Sequence, residues 1–153
     1  MSAKPVPPGY HTITPHIVVR GAAKAIDFYK RAFGAVELFR HATPDGRLMH
    51  AEIRIGDSIV MIGDAFPEMG CAGPEGHSPV TLHLYVPDVD AAFVRAVEHG
   101  ATVKMPVADM FWGDRYGQLA DPFGHSWSVA THVRDVSPQE MEKAAAEMFS
   151  GKP

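Results

Sequence analysis

Two histidines stand at matching places in a repeated sequence pattern. Residues 14–19 and 81–86 both read Thr-x-His-aliphatic-x-Val, which puts His16 and His83 at the same point of each copy. A stretch with helical spacing follows each copy and ends in Gly-Ala. Because imidazole binds divalent metal ions and changes its charge near neutral pH, two such side chains at one site could hold a metal ion or a polar ligand. The repeat predicts a duplicated module whose two halves contribute to one site.

A second pair of polar residues, His50 and Glu52, alternates along a predicted strand. Residues two apart on a strand share a face, so both side chains should point the same way. They could complete a metal site together with His16, or they could form a solvent-facing pair on an amphipathic strand. The spacing favours the solvent-facing pair and leaves the metal site open.

A segment rich in aromatic residues and glycine covers residues 111–117. Phe111, Trp112 and Tyr116 could form an apolar wall against a ligand, as in other small-molecule pockets. Arg115 could hold the carboxylate or phosphate of a ligand in its planar fork. It could equally form a structural ion pair that fixes the aromatic segment.

The composition narrows the classes of partner. The formal net charge is −4 and the 14 Lys and Arg residues are scattered, without the basic stripe that nucleic-acid binding requires. No apolar run is long enough to cross a bilayer, and residues 1–9 lack the apolar core of a signal peptide. Cys71 is the only cysteine, so no intrachain disulfide can form, which fits a reducing compartment. We therefore expect a cytoplasmic protein that binds neither nucleic acid nor membranes.

The elements that must position these side chains form two βαβββ units. Apolar residues at helical spacing predict a helix over residues 22–33 and another over residues 89–99. Gly, Pro and Asp turns bound the predicted strands. These strands cover residues 16–20, 36–42, 48–55, 58–62, 80–86, 102–105, 110–119 and 126–131. This order of elements predicts an α+β fold.

Proline and glycine divide the chain into five segments. The sequence predicts an N-terminal arm over 1–11, a first module over 12–63, a linker loop over 64–79, a second module over 80–132, and a C-terminal helix and tail over 133–153. The C-terminal helix begins at Ser137-Pro138-Gln139-Glu140, a capping box with proline in the first helical position. We expect this helix to pack on the outside of the domain or on a partner subunit.

The motifs of this chain resemble those of the vicinal oxygen chelate superfamily, which includes glyoxalase I, bleomycin and fosfomycin resistance proteins and extradiol dioxygenases. Residues 25–29 (Ala-Ile-Asp-Phe-Tyr) and 121–127 (Asp-Pro-Phe-Gly-His-Ser-Trp) carry the resemblance. With residues 111–117 (Phe-Trp-Gly-Asp-Arg-Tyr-Gly), they are similar to one bacterial subgroup of small glyoxalase/bleomycin-resistance-type proteins. The resemblance covers residues 12–132 and implies two modules that form a curved mixed sheet around a central cavity. It also implies a homodimer, because many members are dimers.

The resemblance also bears on metal binding. In metal-using members, the first and fourth strands of each module supply four ligands to a divalent ion, which makes His16 and His83 the candidate ligands from the first strands. The fourth-strand ligand is commonly a glutamate four residues after the turn glycine, and in this chain that count reaches Val60 and Ser128. Because neither is a carboxylate, a metal ion would need a further partner from the third strand.

Two functions remain open from the sequence. The first is a small-molecule binding protein of the bleomycin-resistance type, with its ligand in the cavity between the modules and without metal chemistry. The second is a divalent-metal-dependent lyase, isomerase or dioxygenase, in which the ion polarises adjacent oxygens of the substrate. The missing fourth-strand carboxylates favour the first, and no catalytic residue is predicted. The candidate ligand-binding residues are His16, His83, Phe111, Trp112, Arg115, Tyr116 and Ser128, and the candidate metal ligands are His16 and His83, with Glu52 or His50 as partners.

Overall fold

Each module folds as a helix packed on one face of a four-stranded sheet. The structure, a computed structural model, describes residues 3–76 and 78–150. Residues 1, 2, 77 and 151–153, which belong to the predicted arm, linker and tail, lie outside the described residues. The strands are β1 (His16–Val19), β2 (Val36–Ala42), β3 (Leu48–Ile55), β4 (Ser58–Asp64), β5 (Thr81–Tyr85), β6 (Thr102–Asp109), β7 (Asp114–Ala120) and β8 (Ser126–His132). The helices are α1 (Ala22–Phe33), α2 (Val89–Glu98) and α3 (Pro138–Met148).

The two sheets have the same topology, with strand orders β1-β4-β3-β2 and β5-β8-β7-β6. In each sheet the first strand pairs in parallel with the fourth, and the other neighbouring strands are antiparallel. This confirms the predicted α+β fold of two βαβββ modules with a C-terminal helix, and it shows that each module builds its own mixed sheet. Within the described ranges, no helix is long and apolar enough to cross a membrane.

Strand alternation decides which side chains face the helix of each module. Ile17 and Val19 of β1 are 6% and 0% exposed, and they pack in the core with Val60 and Ile62 of β4. Residues that alternate with these positions, such as His16 and Val18, point to the opposite face of the sheet. We call the face turned away from the helix the far face of each sheet.

Asp64 links the beginning of α1 to the first sheet. Gly21 stands at the N-cap with φ 93° and has no side chain, so the first amides of the helix need another acceptor. Asp64 Oδ1 accepts the backbone N–H groups of Gly21 and Ala22, both at 2.9 Å, and its Oδ2 accepts that of Leu48 at 2.6 Å. β4 accordingly continues to Asp64, beyond its predicted end at Ile62.

The buried carboxylate of Asp121 connects the second module to α1 of the first. Its Oδ1 accepts the backbone N–H groups of Phe123 at 2.8 Å and His125 at 3.0 Å, which closes the predicted turn between β7 and β8. Its Oδ2 accepts the hydroxyl of Tyr29 and the indole N–H of Trp127. Burial, and then the charge and hydrogen bond of Asp121, raise the pKa of Tyr29 well above its usual value.

Aromatic packing surrounds this carboxylate and completes the joint between the modules. The ring centroid of Trp127 lies 4.8 Å from that of Phe33 and 5.4 Å from that of Tyr29. α1 also packs against α2, and the buried residues of both modules form one hydrophobic core. The relative position of the two sheets is therefore set by α1, α2 and the β7–β8 turn.

The aromatic segment, predicted as one stretch over residues 110–119, is divided in the structure. Phe111 and Trp112 lie in a turn, and β7 begins only at Asp114. Gly113 in this turn has φ 99°, and a Cβ there would lie 2.2 Å from the carbonyl oxygen of Arg134. Only glycine fits such a position. The two turn aromatics thus precede the strand that carries the rest of the motif.

The C-terminal helix has the predicted cap. The hydroxyl of Ser137 accepts the backbone N–H of Glu140 at 3.1 Å and donates to the carboxylate of the same residue, also at 3.1 Å. No residue of α3 is buried. Its packing against the domain or a partner subunit stays a prediction.

We expect Asp121→Asn to lower the free energy of unfolding by about 2–4 kcal/mol, because the amide nitrogen would face the buried donors of Tyr29 and Trp127. Tyr29→Phe removes a single hydrogen bond and should cost about 1 kcal/mol. Urea unfolding followed by circular dichroism measures both. Asp27→Asn, on the exposed surface of α1, is the matched control. An equal loss in the Asp121 and Asp27 variants would contradict the role of Asp121 as the joint.

Candidate ligand-binding site

The two repeated histidines lie on the far faces of their sheets, each in a row that crosses three strands. His16 stands opposite Met61 of β4, and Met61 stands opposite Glu52 of β3. In the second sheet, His83 stands opposite Ser128 of β8, and Ser128 stands opposite Gln118 of β7. The Thr-x-His repeat therefore does mark structurally equivalent positions in two copies of one module.

Counting four residues from the turn glycine places Val60 at the fourth-strand ligand position. This prediction is wrong by one residue. Val60 is 5% exposed and packs in the core, while Met61 is the residue opposite His16. The reason is that β4 must turn Val60 and Ile62 towards the helix, which leaves Met61 on the far face. The count is right in the second module, where Ser128 lies opposite His83.

The module 2 quartet consists of His83, Ser128, Gln118 and Tyr116. His83 Nδ1 lies 2.6 Å from the hydroxyl oxygen of Ser128, which is 2% exposed. The rings of His83 and Tyr116 stack, with centroids 5.8 Å apart and planes inclined by 24°. Gln118 Nε2 donates to the Tyr116 hydroxyl at 2.7 Å. The quartet is thus a connected set of polar groups without a carboxylate, beside aromatic surface.

The module 1 quartet consists of His16, Met61, Glu52 and His50. The rings of His16 and His50 lie 5.8 Å apart, edge to face, and His50 Nε2 lies 2.9 Å from Glu52 Oε2. Partial burial, and then the neighbouring imidazole of His50, lower the pKa of His16 below its usual value. Glu52 is 4% exposed, so His50 and Glu52 are not the solvent-facing pair that the spacing favours.

The N-terminal arm adds a contact that the sequence did not indicate. The hydroxyl of Tyr10 donates to Glu52 Oε1, and this hydrogen bond is the main cause of the raised pKa of Tyr10. The sequence predicts Tyr10 only as part of an N-terminal arm with no assigned contact. In the structure, this arm covers part of the far face of the first sheet.

The aromatic residues continue the module 2 quartet. Trp112 contacts Tyr116 edge to face at 5.4 Å between centroids, and Phe111 contacts Trp112 in the same way at 5.1 Å. His83, Tyr116, Trp112 and Phe111 therefore form one continuous run of rings. This is the arrangement expected of an aromatic wall, although its contact with a ligand stays a prediction.

Arg115 lies apart from this run. Its Nε donates to Asp90 at 2.8 Å and its Nη1 to Asp109 at 3.2 Å, and these hydrogen bonds raise its pKa. Tyr116, the next residue on β7, points to the opposite face of the sheet. The geometry of Arg115 matches the structural ion pair, one of the two interpretations open from the sequence.

Two polar residues that the sequence does not single out, Tyr85 and His132, meet Asp114 of the aromatic segment at the end of β8. Asp114 is 3% exposed, and it accepts hydrogen bonds from Tyr85 at 3.0 Å and from His132 Nδ1 at 2.7 Å. Burial alone would raise the pKa of Asp114, but the hydrogen bonds from His132 and Tyr85 hold it below its usual value. The Tyr85 ring contacts His83 at 4.6 Å, so this network adjoins the module 2 quartet. In the sequence, the only indication of this network is that Tyr85 alternates with His83 on β5.

A cleft of about 550 Å³ lies between the modules, along the edge of β5. The first module contributes the end of α1 and the β3–β4 hairpin, and the second contributes β5 and β8. Its apolar lining includes Phe33, Ile55, Val60, Leu82, Leu84 and Trp127. His83 and Tyr85 line one side of it, and Asp57 and Ser58 lie on the hairpin side.

The donors in these positions do not fit the metal site implied by the resemblance. The first- and fourth-strand positions hold two imidazoles, one thioether and one hydroxyl, of which only the imidazoles are good ligands for Zn²⁺ or Fe²⁺. Among residues 3–76 and 78–150, no three His, Cys, Asp or Glu side chains are grouped so as to hold a metal ion. His16 joins His50 and Glu52, while His83 joins Ser128, and no hydrogen bond or ring contact of the described residues links the two sets. No chemical step through a metal follows from this arrangement.

A family model described as Glyoxalase/Bleomycin resistance protein/Dioxygenase superfamily matches residues 10–129. An uncharacterized protein of Mycobacterium bovis is 50% identical over 145 residues, which cover 91% of this chain and 95% of that protein. An uncharacterized protein of Arabidopsis thaliana is 33% identical over 128 residues, covering 77% of this chain and 76% of that one. Among solved structures, TioX from Micromonospora sp. ML1 superposes with a TM-score of 0.65 at 28% identity, covering 80% of this chain and 99% of TioX.

We expect the protein, stripped of metal and dialysed against micromolar Zn²⁺, Ni²⁺, Mn²⁺ or Fe²⁺, to retain well below one metal ion per chain. Two imidazoles on separate sheets do not form a site of three or four donors. Elemental analysis of the dialysed protein measures this, with the double variant His16→Ala/His83→Ala as the reference for adventitious binding. Retention of one ion per chain that both single variants abolish would overturn this expectation.

Proposed function

This chain belongs to the glyoxalase/bleomycin resistance protein/dioxygenase superfamily, and we propose that within it the chain binds a small, largely apolar molecule in the cleft between its two modules. The cleft is the observation that carries the proposal. Its volume of about 550 Å³ lies in the range of small-molecule sites, roughly 300–1,000 Å³. Such sites are typically apolar with a few placed polar groups, and this lining has that composition.

His83 is the polar group best placed to orient the ligand. It lines the cleft, and Ser128 engages its Nδ1 at 2.6 Å. Among the described residues, no hydrogen bond uses Nε2, which leaves that atom for a ligand. Stacking on Tyr116 further restricts rotation of the imidazole. The ring is therefore held in one orientation before a ligand arrives, which reduces the entropy lost on binding.

The aromatic run extends this site beyond the cleft. Tyr116 contacts His83, Trp112 contacts Tyr116, and Phe111 contacts Trp112. Aromatic faces bind flat apolar groups with little loss of side-chain entropy. We propose that a ligand larger than the cleft lies along this run, so that Trp112 and Phe111 contact its outer part.

The alternative, a metal-dependent lyase, isomerase or dioxygenase, requires three or four metal donors at one site. The family positions of this chain hold His16, Met61, His83 and Ser128. Glu52 and His50 supply further donors only beside His16. No observation on this chain favours that function over ligand binding.

The fluorescent probe 8-anilinonaphthalene-1-sulfonate (ANS) tests the cleft. Leu84→Trp should fill it, since Leu84 lines the cleft, and should abolish most of the fluorescence gain. His83→Ala should weaken binding about tenfold or more, the effect of one hydrogen bond to a charged group. Val103→Trp, on exposed β6, is the control and should behave as the wild type. If Leu84→Trp and Val103→Trp bind the probe equally, the cleft is not the site.

We further propose that the chain forms a homodimer through its first sheet. Val36, Leu38, Phe39 and Met49 are 37–62% exposed on neighbouring strands β2 and β3, an apolar surface that a monomer would leave in water. Light scattering should report twice the mass of one chain. Phe39→Glu should shift the mass to that of a monomer, because it places a charge in the covered surface, whereas Val94→Glu on α2 should not. A monomeric wild type would contradict the dimer and leave the cleft proposal standing.

A further inference from the structure

A second cavity, of about 380 Å³, lies between the N-terminal arm and the far face of the first sheet. Residues 5–7, 10–12 and 14, from the arm and the segment that leads into β1, form one side, and Glu52 and Met61 form the other. It shares no lining residue with the cleft between the modules. This cavity is therefore a separate feature from the cleft to which the proposed function belongs.

Glu52 is the only acidic residue in the lining of this cavity. The side chain is 4% exposed, and its oxygens take one hydrogen bond from Tyr10 and one with His50. A carboxylate has about four acceptor positions, so these two partners leave it half used. Within residues 3–76 and 78–150, no lysine or arginine forms an ion pair with it. Among the described residues, the one possible charge partner of Glu52 is the imidazole of His50 at 2.9 Å, which is cationic only when protonated. A buried carboxylate is stable only when it is paired or well hydrogen-bonded, so a permanent cation in the cavity would complete the partners of Glu52.

The duplicated module provides an internal comparison. Gln118 occupies the position in the second sheet that Glu52 occupies in the first, since each stands opposite the fourth-strand residue of its row. Gln118 donates to Tyr116, as Glu52 bonds to His50, with a neutral amide in place of the carboxylate. The strand and its packing therefore do not require a negative charge at this position. The charge of Glu52 is a property of the first module alone.

The groups around Glu52 suit a cation that carries carbon substituents. Phe39 is the cross-strand neighbour of Glu52, and its ring lies 5.9 Å from that of His50. Neither of these rings lines the cavity itself, so its apolar side comes from other groups. Pro5, Val6 and Pro7 of the arm give the cavity an apolar side.

We propose that this cavity is a second binding site, specific for an organic ammonium ion. The ammonium group donates to the carboxylate of Glu52, where Tyr10 and His50 already orient the two oxygens. The carbon part of the ligand packs against Met61 and the prolines of the arm. The site takes amines and rejects neutral molecules of the same shape, because only a cation compensates the buried charge.

Isothermal titration calorimetry with benzylammonium chloride tests this site, with benzyl alcohol as the neutral molecule of similar shape. The wild type should bind benzylammonium and show no heat of binding with benzyl alcohol. Glu52→Gln places the residue of the second module in the first, and it should weaken benzylammonium binding about tenfold or more, as expected for the loss of one charged hydrogen bond. Glu98→Gln, an exposed acid at the end of α2, is the control and should bind as the wild type.

A second measurement uses the wild type, so its result does not depend on whether the Glu52 variant folds. With methyl-labelled methionine, the Met61 signal, assigned through Met61→Leu, should shift on addition of benzylammonium. Leu84→Trp, which fills the other cleft, should leave this shift intact, so failure of the first proposal and of this one can be told apart. Equal binding of benzyl alcohol, unchanged binding in Glu52→Gln, or a Met61 signal that does not move would each overturn the proposal.

Discussion

The buried carboxylate of Asp121 holds the two modules together, and the cleft depends on that joint. One oxygen closes the β7–β8 turn through two backbone amides, and the other receives Tyr29 of α1 and Trp127 of β8. All these partners are donors, so the charge is spread over four hydrogen bonds to a side chain that is 5% exposed. Trp127, with Phe33, then lines the cleft. A turn that ends a strand in one module thereby fixes where the helix of the other module lies.

Duplication gives the two sheets the same geometry but different chemistry. In each sheet the row begins with a histidine on the first strand and crosses the fourth and third strands. The first sheet places Met61 and Glu52 in that row, and the second places Ser128 and Gln118 there. One half has thus a buried negative charge, and the other has polar groups without a carboxylate beside aromatic rings. This contrast favours two sites with different ligand preferences over one site built from both halves.

The surroundings of each row decide which ligand it suits. The second row adjoins the cleft and the aromatic run, where apolar area dominates and His83 supplies direction. The first row is covered by the arm, whose Tyr10 reaches Glu52. Glu52 itself is 4% exposed, so the attraction between its charge and a partner is screened less than in water. Apolar contact therefore governs the proposed binding in the cleft, and charge governs it beneath the arm.

The sequence by itself determined what depends on near neighbours in the chain. Helical spacing defined α1 to the residue, and the Thr-x-His repeat located the equivalent strands. The turn at Asp121 and the capping box at Ser137 likewise depend on residues close together in the chain. These features are readable because period and turn type are set within a few residues.

Only the tertiary structure decided which distant groups meet. Met61, not Val60, faces His16, because the packing of β4 on the helix selects the face of every residue on that strand. Tyr10 reaches Glu52 from 42 positions away, and Glu52 is buried where the strand spacing alone would leave it in solvent. Arg115 pairs with Asp90 across 25 positions. Such contacts depend on how whole elements pack, and no local period or turn motif encodes that packing.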